Sequence, residues 1–453
     1  MNRIFLKDIA VSQTGPFGSQ LHEKDYVEFG TPIVTVEHLG ETSFTHQNLP
    51  FVSDSDRDRL SKYLLKEGDI VFSRVGSVDR NTFVSKEEDG WLFSGRCIRV
   101  RVDRKKADPK FISFYFRQRN FKEMMLNISV GATMPSLNTT LMDNIPLIIP
   151  ELDTQQKIAK VLSDLDAKIE LNNKINAELE AMAKTLYDYW FVQFDFPNEN
   201  GKPYKSSGGK MVYNEELKRE IPEGWEVKKT EDLVTDIKTG LNPREHFKLG
   251  GGLNYYITIK NIEYGRISFD NSCDRIDDDA MERIQKRSNL EKGDILFTSI
   301  EPVGKTYLLS EKPINWNINE SVFSFKPNYD LVSSEYLFML ISSKGFNDLC
   351  KNASTGSIHK GIRITPMKAF KICHPNNKNL ILEFTKIVSP YLKFIDKNQK
   401  ENQELASLRD WLLPMLMNGQ VTVASTNSAT ENGYEVEDSE LGMVAESGEK
   451  YNK

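Results

Sequence analysis

Cysteine is scarce in this chain of 453 residues, and what there is lies scattered. Cys97, Cys273, Cys350 and Cys373 form no C-x-x-C pair, which argues against a disulfide framework or a zinc site and predicts a reducing, cytoplasmic setting. Long apolar runs are absent, so no segment is expected to span a membrane. The first ten residues lack the apolar core and small-residue cleavage site of a signal peptide. The six histidines offer no metal-ligand cluster, and no metal is expected. Asp277–Asp279 reads as a solvated turn. Gly304-Lys305-Thr306 lacks the earlier glycine of a phosphate-binding loop, since position 299 is Ser. No Asn/Asp-Pro-Pro-aromatic motif of an amino-methyltransferase occurs. The chain is therefore expected to do no chemistry of its own. Net positive charge is missing as well. The formal charge is −6, with residues 1–150 and 225–375 each near neutral and the acid concentrated in 151–224 and in the tail from Gln420. Near-neutral domains still have room for a basic face, so charge neither supports nor excludes nucleic-acid binding.

What is present is a repeat. Ile33-Val-Thr-Val-Glu-His-Leu39 resembles Tyr256-Ile-Thr-Ile-Lys-Asn-Ile262. Lys66-Glu-Gly-Asp-Ile-Val-Phe-Ser73 resembles Glu291-Lys-Gly-Asp-Ile-Leu-Phe-Thr298, which sets Gly68 and Gly293 225 positions apart. Gly131 and Gly356, then Pro150 and Pro375, keep the same offset. Within each half, short β-prone runs alternate with turn signals and helical stretches come late, which predicts an α+β domain.

A heptad-like helix follows each proline. The first seam runs through Leu165, Asn172, Leu179 and Leu186; the second through Tyr391, Asn398, Leu405 and Leu412, an offset of 226. An Asn at the same seam position in both helices lowers stability but fixes register, which predicts that the two helices pair. About 30 residues make a rod of roughly 45 Å. The plain alternative is two amphipathic helices on separate cores. These signals divide the chain into 1–150, a first α+β domain; 151–195, a helix; 196–224, a linker rich in Pro, Gly and Ser; 225–378, a second α+β domain; 379–419, a second helix; and 420–453, a disordered acidic tail.

Several segments carry a family resemblance. Ile149-Pro-Glu-Leu-Asp-Thr-Gln-Gln-Lys-Ile-Ala-Lys-Val-Leu162, Ser163–Ile169, Asn172–Ile175, Leu186–Val192 and the lead-in Ile221-Pro-Glu-Gly-Trp225 resemble the specificity subunit of type I restriction-modification enzymes over about residues 1–420. Pro375–Leu380 departs from that pattern, lacking the Gln-Lys-Ile-Ala core. The resemblance implies two tandem target-recognition domains joined by two long antiparallel conserved helices with pseudo-two-fold symmetry. It implies double-stranded DNA with an asymmetric bipartite site as ligand. It implies two methyltransferase subunits as partners, and through them restriction and translocase subunits. S-adenosylmethionine, ATP and magnesium would be bound by those partners and none by this chain. Trp190, Phe191 and Trp411 at the helix ends are candidate anchors for partners, or else core residues packed against their own recognition domain. The rival readings are a free-standing DNA-binding regulator, a specificity protein of another modification system, or a protein–protein scaffold.

Candidate DNA contacts follow from residue type. The turn after the Gly-Asp-Ile strand carries Arg74, Ser77, Arg80 and Asn81, matched by Ser299, Lys305 and Thr306. Hydroxyls donate to phosphate and arginine reads guanine; an ordinary polar hairpin would look the same. A second loop carries Thr133, Ser136 and Asn138, matched by His359, Lys360 and Arg363; it could instead brace the helix entry. Lys260 and Asn261, like Glu37 and His38, sit where a strand end could offer polar groups to base edges or simply a sheet face. Arg99 and Arg101 read as phosphate neutralisers or as the solvated face of a strand.

Overall fold

The computed structural model describes residues 2–18, 20–131, 134–263, 265–270, 272–354 and 360–423. The expected disordered tail lies outside these residues from 424 onward, while Val421 and Val423 pack half-buried on the first core. The chain forms two compact units, one of residues up to Lys168 with those from Glu404, the other Ile169–Gln403.

In the first unit the main sheet runs Ala10–Thr14, Cys97–Val102, Asp69–Ser73, Asn81–Phe83, all antiparallel. In the second unit Val234–Thr239, Val322–Pro327, Ile295–Thr298 and Thr306–Leu308 take the same order and sense. A smaller sheet follows the same rule: Thr31–Val34 runs parallel to Leu92–Phe93, and Asn254–Ile257 parallel to Trp316–Ile318. The opening strand of each copy pairs with the strand that leads into a long helix, Asn2–Phe5 with Pro146–Ile149 and Trp225–Lys229 with Lys371–Pro375. The core of each copy fills the space between its main sheet and its late helices, with Phe72, Phe111, Phe116 and Phe121 in one and Phe297, Phe325, Tyr336 and Phe346 in the other.

The repeated Gly-Asp-Ile motif belongs to this scaffold. Gly68 and Gly293 have φ of +94° and +91°, a region a side chain strains to enter, and so turn the chain into the strand. The following aspartates close that turn by accepting from the Lys66 and Glu291 backbone N–H groups. Both are buried and both have a cation 225 positions apart: Arg101 grips Asp69 through two hydrogen bonds of 2.7 and 2.6 Å, and Lys326 lies 2.8 Å from Asp294. A buried carboxylate needs such a partner. Arg99 is also buried rather than solvated; it donates to the Lys62 and Leu64 carbonyls and to Gln13. Neither arginine is a free phosphate ligand.

The long helices span Leu152–Tyr187, continued by a π-helical turn Asp188–Val192, and Lys378–Met417. In the second unit they pair antiparallel through amides: Asn172 donates to Glu401 and Asn402, Asn402 to Asn173, and Asn398 to Asn176. Asn172 and Asn398 do not meet each other, because antiparallel pairing sets each against residues at the mirrored depth. Leu165, Leu179, Tyr391 and Leu405 are half-buried along these helices. In the first unit Asp166 accepts from both Arg117 and Arg409, at 2.9 and 3.0 Å.

The segment 196–224 is built rather than loose. Phe196 stacks between Tyr204 and Trp225, Asp195 accepts from the Ser206 backbone and hydroxyl, and Met211–Asn214 pairs with Arg219–Pro222. Its breakers make turns, and its aromatics give those turns something to pack on. Trp190 and Phe191 are likewise core residues, set against Phe384 and Tyr336; Trp411 alone of the three expected anchors is exposed, at 56%.

Candidate nucleic-acid interface

Strand register decides which loops meet. Thr14, Ser73, Asn81 and Cys97 end or begin strands at one edge of the first main sheet, so the loop after Thr14, the turn 74–80 and the turn 94–96 leave together. Gly15 permits this: a side chain there would collide with the Ser94 carbonyl. Gly240, 225 positions on, is held the same way against the Ile318 carbonyl. That offset was readable in the sequence, yet neither glycine loop was anticipated.

A distant loop joins the same edge. Val75 bridges Ser136, the Gly76 N–H donates to the Pro135 carbonyl at 2.9 Å, and the Leu137 N–H to the Arg74 carbonyl at 2.9 Å. In the second unit Ile300 bridges Gly361, the Glu301 N–H donates to the Lys360 carbonyl at 3.0 Å, and the Ile362 N–H to the Ser299 carbonyl at 2.8 Å. Both bridged pairs are offset by 225. Each fold copy therefore stitches the two candidate loops, some sixty residues apart in sequence, into one composite surface.

The candidate side chains divide sharply. Ser77 and Arg80 are exposed, as are Lys360, Arg363 and Arg96. Lys305 is half-buried, and its backbone N–H donates to Thr298 Oγ1. Lys260 is exposed at its strand end. Other candidates are occupied within the fold. Asn138 caps the helix Thr139–Asp143 by accepting from the Leu141 N–H, and the Ser136 hydroxyl donates to the Val130 carbonyl. Ser299 is buried and donates to the Ser321 carbonyl at 2.8 Å; Thr306 is buried against the Ser342 hydroxyl, also at 2.8 Å. Asn261 is buried, accepting from Thr258 and donating to Cys273 Sγ; His38 accepts from Thr35 in the same way. These two close turns and cannot face a base. Asn81 is buried as well. Thr133 and His359 lie outside the described residues.

The chemistry around the surface is quiet. Burial pushes the Cys97 and Cys350 thiols up to about 12 and Cys373 to about 11, and it raises Cys273 too, so none is a thiolate nucleophile or ready metal ligand at neutral pH. Among the described residues one group of ligand atoms lies within 4.8 Å, from His46, Glu87 and Glu88. There the buried Glu88 carboxylate already accepts from Ser85 and lies 2.7 Å from His46 Nε2, which satisfies it without a cation. No helix among the described residues is long and apolar enough to cross a membrane.

The type I restriction modification DNA specificity domain family matches residues 1–181 and 222–407, one match per fold copy. The chain belongs to that family. This specificity subunit is 28% identical over 323 residues to the MjaIX specificity subunit of Methanocaldococcus jannaschii, covering 69% of each chain. It is 25% identical over 413 residues to the HindI specificity subunit of Haemophilus influenzae, covering 80% of this chain and 88% of the other. Its fold resembles the crystal structure of a type I restriction-modification S subunit from M. genitalium, with TM-score 0.57 and 15% identity over 94% of this chain and 96% of that one. The expected α+β duplication with two long helices is thus that family's architecture.

Proposed function

We propose that this specificity subunit reads an asymmetric, bipartite double-stranded DNA site, one half through each composite loop surface. In this reading it docks two methyltransferase subunits and, through them, restriction and translocase subunits. Residues 1–150 and 225–378 act as the two target-recognition domains, and the long helices present the partner-docking faces. Catalysis and cofactors belong to the partners: S-adenosylmethionine for adenine-N6 methylation, ATP and magnesium for restriction. The chain itself contributes recognition only.

The observation that carries this reading is the loop juncture built twice at one offset of 225 with different exposed side chains. A constant backbone frame with variable side chains is what two readers of different half-sites need. Exposed Arg80, Ser77, Lys360, Arg363 and Lys260 supply donors for phosphates and for guanine edges. The test is methylome sequencing of a host expressing the complex, first with the native chain and then with residues 1–150 exchanged for those of a relative. One half of the methylated motif should change and the other stay; change in both halves would sink the two-reader assignment. The isolated chain incubated with S-adenosylmethionine should methylate nothing.

A further inference from the structure

The main chain of the loop juncture is duplicated, but one side chain in it is not. Arg74 and Ser299 are equivalent: the Arg74 N–H donates to the Arg96 carbonyl at 2.8 Å and the Ser299 N–H to the Ser321 carbonyl at 2.9 Å. Their side chains then part. The Ser299 hydroxyl returns to the same Ser321 carbonyl and reaches no further. The Arg74 guanidinium reaches three segments. Its Nε donates to the Leu137 carbonyl at 3.3 Å, its Nη1 to the Gly95 carbonyl at 3.2 Å, and its face lies over the Phe17 ring at 4.7 Å. Those segments are the three loops, after Thr14, around Gly95 and at 130–138, that meet the 74–80 turn at this sheet edge.

We propose that Arg74 is a positioning residue, not a base reader: it locks the loops of the first recognition domain into one reading surface, and among the described residues its counterpart Ser299 forms no such lock in the second. The inference rests on the DNA-reading function proposed above. A planar guanidinium with donors on two edges and a stacked face can hold two carbonyls and a ring at once, which a lysine ammonium cannot do. With Nε and Nη1 turned to backbone carbonyls, Arg74 is poorly placed to offer a guanine the paired donors that a bidentate grip needs. Neighbouring Ser77 and Arg80, both exposed, are the side chains whose aim it sets.

The experiment uses the full chain in complex with its methyltransferase subunits. It measures binding to DNA carrying single-base changes in one half-site at a time, across a salt series. The R74K variant keeps the charge and is expected to fold. Discrimination in the half-site assigned to the first domain should fall about tenfold, the scale of one good base contact. Discrimination in the other half-site and the slope of log affinity against log salt should stay as in wild type. R80A should instead lower that slope by about one unit, the mark of a lost phosphate contact. F17A, which removes the ring and keeps both carbonyl bonds, should move discrimination in the same direction by less. If R74K lowers the salt slope as R80A does, Arg74 touches DNA directly and the proposal fails. It fails equally if R74K changes nothing, or if both half-sites lose discrimination alike. A wild-type complex that binds all sequences equally would instead overturn the DNA-reading function on which the proposal rests.

Discussion

Two copies of one module differ where their late helices meet the long helices. In the first copy Arg117 and Arg409 converge on Asp166, filling the space with an ion triad. In the second copy the equivalent positions are Ser342, Ala183 and Leu392, and they help to line a cavity of about 820 Å³. The backbone plan is common to both, so it depends on neither filling. What it requires is found in both copies: an apolar layer under the main sheet, and the Asp–cation pair behind each Gly-Asp-Ile turn. The lesson is that repeat identity tracks the groups that close the fold, while the interior at the helix junction has drifted apart.

That contrast can be broken experimentally. Asp166→Asn should have the largest effect, because it takes the ion-pair partner from the mostly buried Arg117 guanidinium and leaves Arg409 with Asp410 alone. About 3 kcal/mol of the first unit's stability should be lost, read by hydrogen exchange or denaturant unfolding. Leu392→Asn, its counterpart beside the open cavity, should cost clearly less; equal losses would erase the distinction.

Acid should separate the copies next. His374 is buried beside Tyr336, and burial holds its pKa down to about 4 from the ordinary 6.5; the equivalent residue in the first copy is Ile149. The folded chain keeps this imidazole neutral while the unfolded chain takes up a proton between those values. Stability of the second unit is therefore whole above pH 6.5 and falls by about 3 kcal/mol as pH drops to 4. His374→Ile should flatten that pH dependence. A native-like fall in the variant would assign the acid lability elsewhere.

Smaller effects probe the helices. Asn398→Ala strands the Asn176 amide in a buried seam and should cost about 1–2 kcal/mol. Paired replacement of Asn176 and Asn398 by Leu should restore stability while loosening the register, read as a wider spread of methylated spacer lengths. Trp411→Ala removes an exposed ring and should leave unfolding within about 0.5 kcal/mol, so any loss of methyltransferase co-purification would be an interface effect.

Much of the architecture was legible because it rests on local, periodic signals. The Gly-Asp-Ile turns, the offset of 225 and the two heptad seams each repeat, and a repeat reports on fold without any knowledge of contacts. The candidate loops were legible as polar turns, and the structure brings them together in both copies. Residue type could not tell which side chains were free. Asn261, Ser299, Thr306 and Asn138 look like DNA ligands by composition, yet each satisfies a backbone or side-chain group of its own fold. Trp190 and Phe191 look like anchors and are core. Asn176 was missed because nothing in a single helix marks it; its role comes from facing Asn398.

The sequence by itself determined the duplication, the α+β pattern, the family and the pairing tendency of the helices. The duplication, the α+β pattern and the pairing tendency follow from spacing along one chain, and the family from the resemblance of its motif residues. The tertiary structure alone decided that residues 75 and 136, or 300 and 361, share a surface, and that Arg74 is engaged while Arg80 is exposed. The physical reason is that a hydrogen-bonding side chain takes whichever partner the fold brings near, and burial and strand register, not residue type, set which partners those are.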